Sequence, residues 1–459
     1  MSVLHAIAEI LTVPAITLGI VALLGLLLQR KHISEIIKGT TKTILGILIL
    51  GAGSALIVTN LEPFAAMFEE AFGLTGVVPV DEAVIAALVD SVSAIGRMTS
   101  FILLFGFFIN VLLARFTPFK YIFLTGHMMW VMAGAIAWAF YDLGVSEING
   151  IIFGSIIQGM VLVLLPAISQ PIVRKLTGND KVAYGHLTTT GVVAAAYIGK
   201  AFGDKEKDSE KVKVPEKLDF FKDTAVSVSL IMVVIYLVTA IFAGPELVES
   251  LSGGQNYLVF SLLNALGFAA GVLILLQGVR MFLGEIVPAF RGIALKIVPG
   301  AKPALDVPIF FPYAPNALML GFIFAVIGMV IGMLVSTLFG TVVPLPSIIG
   351  GFFTGGIAGI FGNALGGRRG AMISGGVYGL ILTIPVALFY PLFGLSAYGV
   401  EGLAFLVPDG IIVLALIKLF FVLDIPVIGF VLAIVSFIFL CYLFSKRNKN
   451  NMREEVNES

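Results

Sequence analysis

Long apolar runs alternate with short polar segments along the whole chain, and all 28 Lys and Arg residues fall into a few short clusters between those runs. No Lys or Arg occurs between Lys42 and Arg97, between Lys120 and Arg174, or between Lys222 and Arg280. The same holds between Lys302 and Arg368, Arg369 and Lys418, and Lys418 and Lys446. A charge at the bilayer centre costs roughly 2.5–3.5 kcal/mol on insertion scales, so such gaps mark where a chain crosses lipid. The pattern predicts an all-α polytopic membrane protein.

The excess of basic residues on cytoplasmic segments sets the direction of each crossing. Residues 11–28 make a first span, long enough for the ~30 Å hydrocarbon core, ending at Arg30-Lys31. The positive, amphipathic segment to Lys42 is then cytoplasmic and the N-terminus external. A second span, residues 43–58, emerges into an acidic loop bearing Glu62, Glu69, Glu70, Asp81 and Glu82. A third element covers 82–96 and 100–113, and a fourth (121–140) and fifth (151–173) lead to the largest cytoplasmic loop, 174–222. Spans at 225–242 and 257–277 follow, then apolar runs at 317–338, 346–366, 371–393, 411–421 and 426–444. An external N-terminus and a cytoplasmic tail (446–459) require an odd number of crossings. With the glycine-rich run 346–366 taken as re-entrant, about eleven remain.

The expected organisation is a single integral-membrane domain over 1–445, divisible into halves 1–222 and 223–422 with an extra helix at 425–445. Leu27-Leu28-Gln29 precedes a basic residue and Ser34-Glu35-Ile36-Ile37; Leu275-Leu276-Gln277 precedes Arg280 and Gly284-Glu285-Ile286-Val287. Five spans plus five and one terminal helix would suit an inverted duplication. A chance match in an apolar background explains the same pair.

Composition narrows the chemistry. The chain is 59% hydrophobic and 12% charged, with formal net charge +0, against about 25% charged for an ordinary soluble domain. Nothing suggests nucleic acid as a partner. The single Cys441 lies in the last apolar run, which excludes a disulfide framework or a cysteine metal site. No nucleotide, zinc-protease, nucleophile-elbow or dinucleotide motif is present, and no cofactor is expected. The N-terminal apolar run lacks a basic region before it and reads as a retained span rather than a cleaved signal.

Candidate site residues lie where irregular backbone meets polar groups, since non-helical backbone survives in lipid only when buried in protein or lining a wet cavity. The run from Ile348 to Gly367 holds Gly350-Gly351, Gly355-Gly356, Gly359, Gly362 and Gly366-Gly367, with Thr354 and Asn363 among them. It reads as a broken or hairpin element at a substrate site; close helix packing through small residues is the alternative. His127 follows Thr125-Gly126 in the fourth span. It is either satisfied by a neighbouring carbonyl or part of an intramembrane site. His186 precedes Leu187-Thr188-Thr189-Thr190-Gly191 and a stretch too short to cross. Asp306 lies in an irregular, proline-rich entry to a span, as a ligand or as a helix N-cap. Asp90 is a weaker candidate, as is Glu82, and Asp409 and Asp424 read as caps of the last two apolar runs. A few neutral His, one or two carboxylates and many backbone amides suit a sugar or polyol.

Several of these residues carry a resemblance. Ile36-Ile37-Lys38-Gly39-Thr40, Leu124-Thr125-Gly126-His127, Gly185-His186, Gln277-Gly278-Val279-Arg280-Met281-Phe282, Ala289-Phe290-Arg291-Gly292-Ile293 and Ala314-Pro315-Asn316-Ala317 resemble the ascorbate-type permease. This is the enzyme IIC component of the bacterial phosphoenolpyruvate-dependent sugar phosphotransferase system. The likeness runs from the first span to about Gly367. It implies a homodimer in the cell membrane, each protomer combining a V-shaped dimerising motif with a substrate-carrying core that moves like an elevator. It also implies a cytosolic IIB partner, phosphorylated on cysteine by IIA, that phosphorylates the arriving sugar. Cys441 is not that cysteine.

Carried over by position, His127, His186 and Asp306 match residues that hydrogen-bond substrate in that family. Where ascorbate carriers have glutamines, this chain has Val131 and Leu187, and Asp81-Glu82 stand where a Thr-Tyr pair is found. These departures open the substrate to related sugars and polyols. An ion-coupled secondary sugar carrier is the alternative function.

Overall fold

The computed structural model describes residues 14–211, 224–423 and 425–458. The expected external N-terminus, the 212–217 part of the basic loop and the capping role of Asp424 lie outside the described residues. The first part of the chain runs α1 (Pro14–Leu28), α2 (Ile33–Phe72), β1 (Thr75–Pro79), α3 (Asp81–Ser91), α4 (Ser93–Phe116) and β2 (Tyr121–Phe123). It continues through α5 (Gly126–Asp142), α6 (Glu147–Thr177), β3 (Ala183–Tyr184) and α7 (Thr189–Phe202). After α8 (Thr224–Ala243) and α9 (Pro245–Leu251) come α10 (Tyr257–Ile297), β4 (Lys302–Leu305), a 3-10 segment (Val307–Tyr313), α11 (Pro315–Ser336) and β5 (Val342–Pro344). A π-helical turn (Gly351–Gly355) leads into α12 (Gly356–Ile381), then α13 (Ile384–Phe393), β6 (Leu403–Ala404), α14 (Pro408–Val422) and α15 (Pro426–Glu458).

Among the described residues seven helices are long and apolar enough to cross a membrane, or eight if the bent pair α8–α9 counts as one. About eleven were expected. The difference lies in three expected spans that fold as shorter elements: α1 and α14 have 15 residues and α5 has 17, below the 18 that a span of that kind takes. The expected third span is two helices, because the extended backbone at Val92 separates α3 from α4.

Two expected boundaries are absent. The amphipathic segment and second span form one 40-residue helix, α2, since nothing between Lys42 and Thr43 interrupts the ladder. It starts with His32 accepting from the Ser34 N–H and ends at Gly73, whose left-handed backbone (φ 63°) lets its N–H reach the Glu69 carbonyl. Likewise α10 runs unbroken for 41 residues through Leu275-Leu276-Gln277. The similar Leu27-Leu28-Gln29 sits instead at the end of α1, so the two motifs do not occupy matching places.

α2 and α10 pack closely because Gly53 meets the Leu275 backbone, Gly271 meets Ile57, and Gly278 meets Leu50. A Lys42–Glu285 ion pair at 2.7 Å ties the same two helices. α11 packs through Gly321 and Gly328 against both arms of α12, where even a methyl group would strike Gly359 or Gly379. Those arms are antiparallel. α12 breaks at Gly366 (φ −140°) and Gly367 (φ 61°, ψ −160°), and Gly362 comes back against Gly370 and Ser374. The glycine-rich run therefore both reverses direction and packs tightly.

Six short strands were not foreseen. They form two all-parallel, three-stranded sheets in the orders β5-β1-β6 and β2-β4-β3. Tyr121 pairs with Lys302, Phe123 and Ala183 with Ala304, and Tyr184 with Leu305. In the other sheet Val77 pairs with Pro344, Val78 with Leu403, and Pro79 with Ala404. Strand pairing satisfies the backbone where the helices are interrupted, which a buried non-helical segment requires. Each sheet draws strands from both parts of the chain.

Candidate functional site

In an open parallel sheet the residues just after each strand gather at one edge, and ligands bind outside the strands' carboxyl ends. The β2-β4-β3 sheet gathers three polar side chains there. His127 lies in the first turn of α5 just after β2, His186 comes after β3 with only Gly185 between, and Asp306 directly succeeds β4. Gly185 is required here: a Cβ would sit 2.8 Å from the Ala304 carbonyl oxygen of the neighbouring strand.

His127 Nδ1 stands 3.8 Å from Asp306 Oδ2, and His186 Nε2 stands 3.9 Å from Asp306 Oδ1. The two imidazole rings are edge-to-face with centroids 5.8 Å apart. All three groups lie within 4.8 Å of one another. These separations exceed direct hydrogen bonds, and the gap matches one bridging polar atom. His186 is buried, His127 half-buried, and the Asp306 side chain is 39% exposed. Asp306 also accepts the Val307 N–H at 2.7 Å, capping the 3-10 segment. Its two readings, cap and site residue, are thus compatible. Two imidazoles and a carboxylate at this spacing could hold a small cation or the hydroxyls of a polyol.

The other candidates are placed differently. Val131 is buried one turn beyond His127 on α5, and Leu187 is fully buried beside His186. Asp81 belongs to the other sheet. It is buried at the start of α3, where Oδ1 accepts the N–H groups of Leu406 (2.9 Å) and Val407 (3.2 Å). Glu82, beside it, is half-buried. Thr354 is buried in the π-helical turn and donates to the Gly350 carbonyl at 2.6 Å. Asn363 holds the loop after α7: it accepts from Ser209 N–H at 3.0 Å and donates to Asp208 at 2.9 Å. In the same loop Glu210 accepts the Asn316 and Ala317 N–H groups at the start of α11.

Sequence reasoning missed three contributors. Asp409 caps α7 rather than its own helix, since its carboxylate accepts the Thr190 N–H at 3.2 Å and also meets the Thr190 hydroxyl. Its own N–H donates to the Leu187 carbonyl at 3.0 Å, so α14 and α7 brace each other beside His186. Tyr184 and Thr188 line the buried side of His186, with Tyr184 Oη 2.7 Å and His186 Nδ1 2.9 Å from the Thr188 hydroxyl. The Thr188-Thr189-Thr190 run was visible in the sequence, but nothing local indicates its partners.

At the base of the sheet Arg174 bonds Asp180 at 2.8 and 3.0 Å, Gln170 donates to it at 2.6 Å, and Lys302 of β4 reaches the same carboxylate. Partial burial pushes the Asp180 carboxyl up, but the hydrogen bonds from Arg174, Lys302 and Gln170 outweigh it and hold the group below the usual range.

A family model described as the PTS system sugar-specific permease component matches residues 9–409. The ascorbate-specific PTS system EIIC component of Mycoplasma pneumoniae is 30% identical over 431 aligned residues, covering 82% of this chain. The chain spans 64% of that relative's length.

Proposed function

This chain belongs to the sugar-specific permease family of the phosphotransferase system, and from that premise we propose that it imports L-ascorbate or a related sugar or polyol. The observation that carries the reading is the convergence of His127, His186 and Asp306 from three distant segments onto one sheet edge. Two imidazoles and a carboxylate offer alternating donors and acceptors, which is what vicinal hydroxyls need. Val131 and Leu187, apolar where ascorbate carriers have amides, leave fewer polar partners. The relative's ascorbate specificity is therefore the first substrate to test and not the only one.

In this reading a separate cytosolic IIB protein, charged by IIA, phosphorylates the sugar as it is released. The phosphate's roughly −1.5 to −2 charge then opposes return through an apolar barrier. The order long helix, strand, short helix, helix, strand, helix, helix, strand, helix runs from α2 to α7, and it recurs from α10 to α14, with the 3-10 segment as the short helix and the two arms of α12 counted separately, apart from the added helix α13 before β6. That recurrence supports an inverted repeat, a core carrying the site in an elevator-like stroke, and a dimerising role for the long helices α2 and α10. The termini are assigned outside and inside, N to C, with 174–222 and 446–459 cytoplasmic.

Accumulation should need phosphoenolpyruvate and both partner proteins, yield phosphorylated product, and survive collapse of ion gradients. Vesicles containing this chain alone that concentrate unmodified sugar, and lose it with an ionophore, would establish a secondary carrier instead. For sidedness, Ser209 is buried and a poor reporter. Lys205 is exposed, and Lys205→Cys in a Cys441→Ala background should label only from the cytoplasm.

A further inference from the structure

The buried wall behind His186 holds a chain of hydroxyls. Tyr184 is fully buried, and its hydroxyl has one hydrogen-bond partner among the described residues, the Thr188 oxygen at 2.7 Å. The same oxygen lies 2.9 Å from His186 Nδ1. The Tyr378 hydroxyl, also buried, faces Thr188 and Thr354 without reaching hydrogen-bonding geometry to either.

We propose that Tyr184 and Thr188 are positioning residues that hold His186 as its Nε2–H tautomer. Tyr184 donates to Thr188, Thr188 donates to Nδ1, and the remaining ring proton points into the site. Two independent observations set the direction. A buried O–H without an acceptor costs about 1–3 kcal/mol, so Tyr184 must donate to the one oxygen within its reach. The Thr188 hydroxyl has a single proton. With Tyr184 already a donor and the Tyr378 oxygen outside hydrogen-bonding geometry, Nδ1 at 2.9 Å is the acceptor within reach of Thr188, and it accepts only if the ring proton is on Nε2. From the other side, Nε2 faces the Asp306 carboxylate at 3.9 Å. An ionised carboxylate only accepts, so a bare Nε2 lone pair facing it would be repelled. The reverse chain, from Nδ1–H through Thr188 to Tyr184, strands the Tyr184 proton and turns that lone pair on Asp306.

The consequence concerns what the site takes. His186 offers a donor and Asp306 an acceptor within one bridging atom, so a ligand must present an accepting oxygen to His186 and a donating hydroxyl to Asp306. An enediol or its enolate, or two neighbouring polyol oxygens, has that polarity. A metal ion at Nε2 would need the opposite tautomer. This ligand polarity rests on the sugar-carrier reading above; the tautomer itself does not.

The test separates the two. The full-length chain, ring-labelled with 15N histidine in lipid nanodiscs, contains four histidines, and His186→Asn identifies the signal of residue 186. The expected spectrum has Nε2 protonated and Nδ1 bare. Thr188→Val, which keeps the shape and removes the hydroxyl, should shift the ring substantially towards Nδ1–H, while Thr188→Ser should restore the native form. A wild-type His186 protonated on Nδ1, or a tautomer ratio unmoved in Thr188→Val, would overturn the relay. The wild-type spectrum alone decides if the variant does not fold. With L-ascorbate and sorbitol as probes, Thr188→Val should weaken binding about five- to tenfold, one neutral hydrogen bond's worth, with Thr188→Ser close to wild type. If neither probe binds the wild type, the sugar reading fails, and the spectrum still judges the relay.

Discussion

The two small sheets are built alike and equipped differently. Each is three parallel strands with the strand after a 40- or 41-residue helix in the centre, flanked by two strands from the other part of the chain. Aligning their registers at the central strands, with Val77 on Ala304, sets position 348 against His127, Phe405 against His186 and Pro79 against Asp306. Those three places hold isoleucine, phenylalanine and proline. Along the same register Val407 stands where Thr188 does, and Leu403 where Tyr184 does, so the hydroxyl chain has no counterpart either. One frame therefore serves two ends. The β2-β4-β3 edge displays polar atoms held apart by nearly 4 Å, and the β5-β1-β6 edge is packed. Asp81, a buried carboxylate near the packed edge, is already engaged by two backbone N–H groups.

The largest effect that could break this comparison comes from the polar edge. His186→Ala and Asp306→Ala should abolish substrate binding and uptake, while Phe405→Ala, at the place matching His186, should leave binding specificity intact and lower stability. Truncating a buried Phe costs about 3–5 kcal/mol. Binding by the purified variants, with thermal unfolding of each, measures both. Wild-type affinity in His186→Ala or Asp306→Ala would reduce the cluster to a structural role.

Next in size is Asp81. Its removal leaves the Leu406 and Val407 N–H groups without their acceptor, a loss of about 1–3 kcal/mol for a buried donor. Asp81→Ala should lower the unfolding midpoint, with residual folded protein binding substrate at near-native affinity. A tenfold loss of affinity at unchanged stability would instead place Asp81 in the site, in keeping with its correspondence to the family's Thr-Tyr pair.

The range over which each signal acts decides how much of this was legible. The apolar runs announced the helices because lipid exposure acts on whole segments. His127, His186 and Asp306 were legible because polar groups next to broken helices in an apolar background need a reason. The strands were not: two to five residues cannot show a period-2 alternation, and β2 finds its partner β4 some 180 residues away. Charge clusters are poor markers of helix ends, since α2 passes through Lys38 and Lys42 with helical backbone throughout. Asp409 looked like a cap for the helix it begins, and only the crossing of α14 with α7 shows which N–H it meets.

A smaller effect would sharpen the substrate question. Val131 lies on the face of α5 that carries His127, one turn on. Val131→Gln restores an amide at that place, and one added hydrogen bond of about 0.5–1.5 kcal/mol would tighten ascorbate binding roughly 2- to 12-fold. Unchanged affinity for ascorbate, with tighter binding of a hexitol, would point to a polyol as the natural cargo.

The smallest effect concerns how the polar sheet is anchored. The strands of β5-β1-β6 contain no charged residue, whereas β4 begins with Lys302, which joins Arg174 and Gln170 on the Asp180 carboxylate. Asp180 is held below the usual carboxyl range, so the folded state binds its proton less readily than the unfolded chain, whose value is about 3.9. Its contribution is then fully present above that value and is lost as pH falls through the lower folded one. The group is 41% exposed and its ion pairs are screened, so the effect is modest. Unfolding midpoints of wild type and Asp180→Asn, measured from about pH 6 down to pH 3, should differ most at the upper end and begin to converge only below about pH 4. A gap that stays constant across that range would mean that Asp180 anchors the sheet by shape and neutral hydrogen bonds, and that its charge is irrelevant to holding β4 in place.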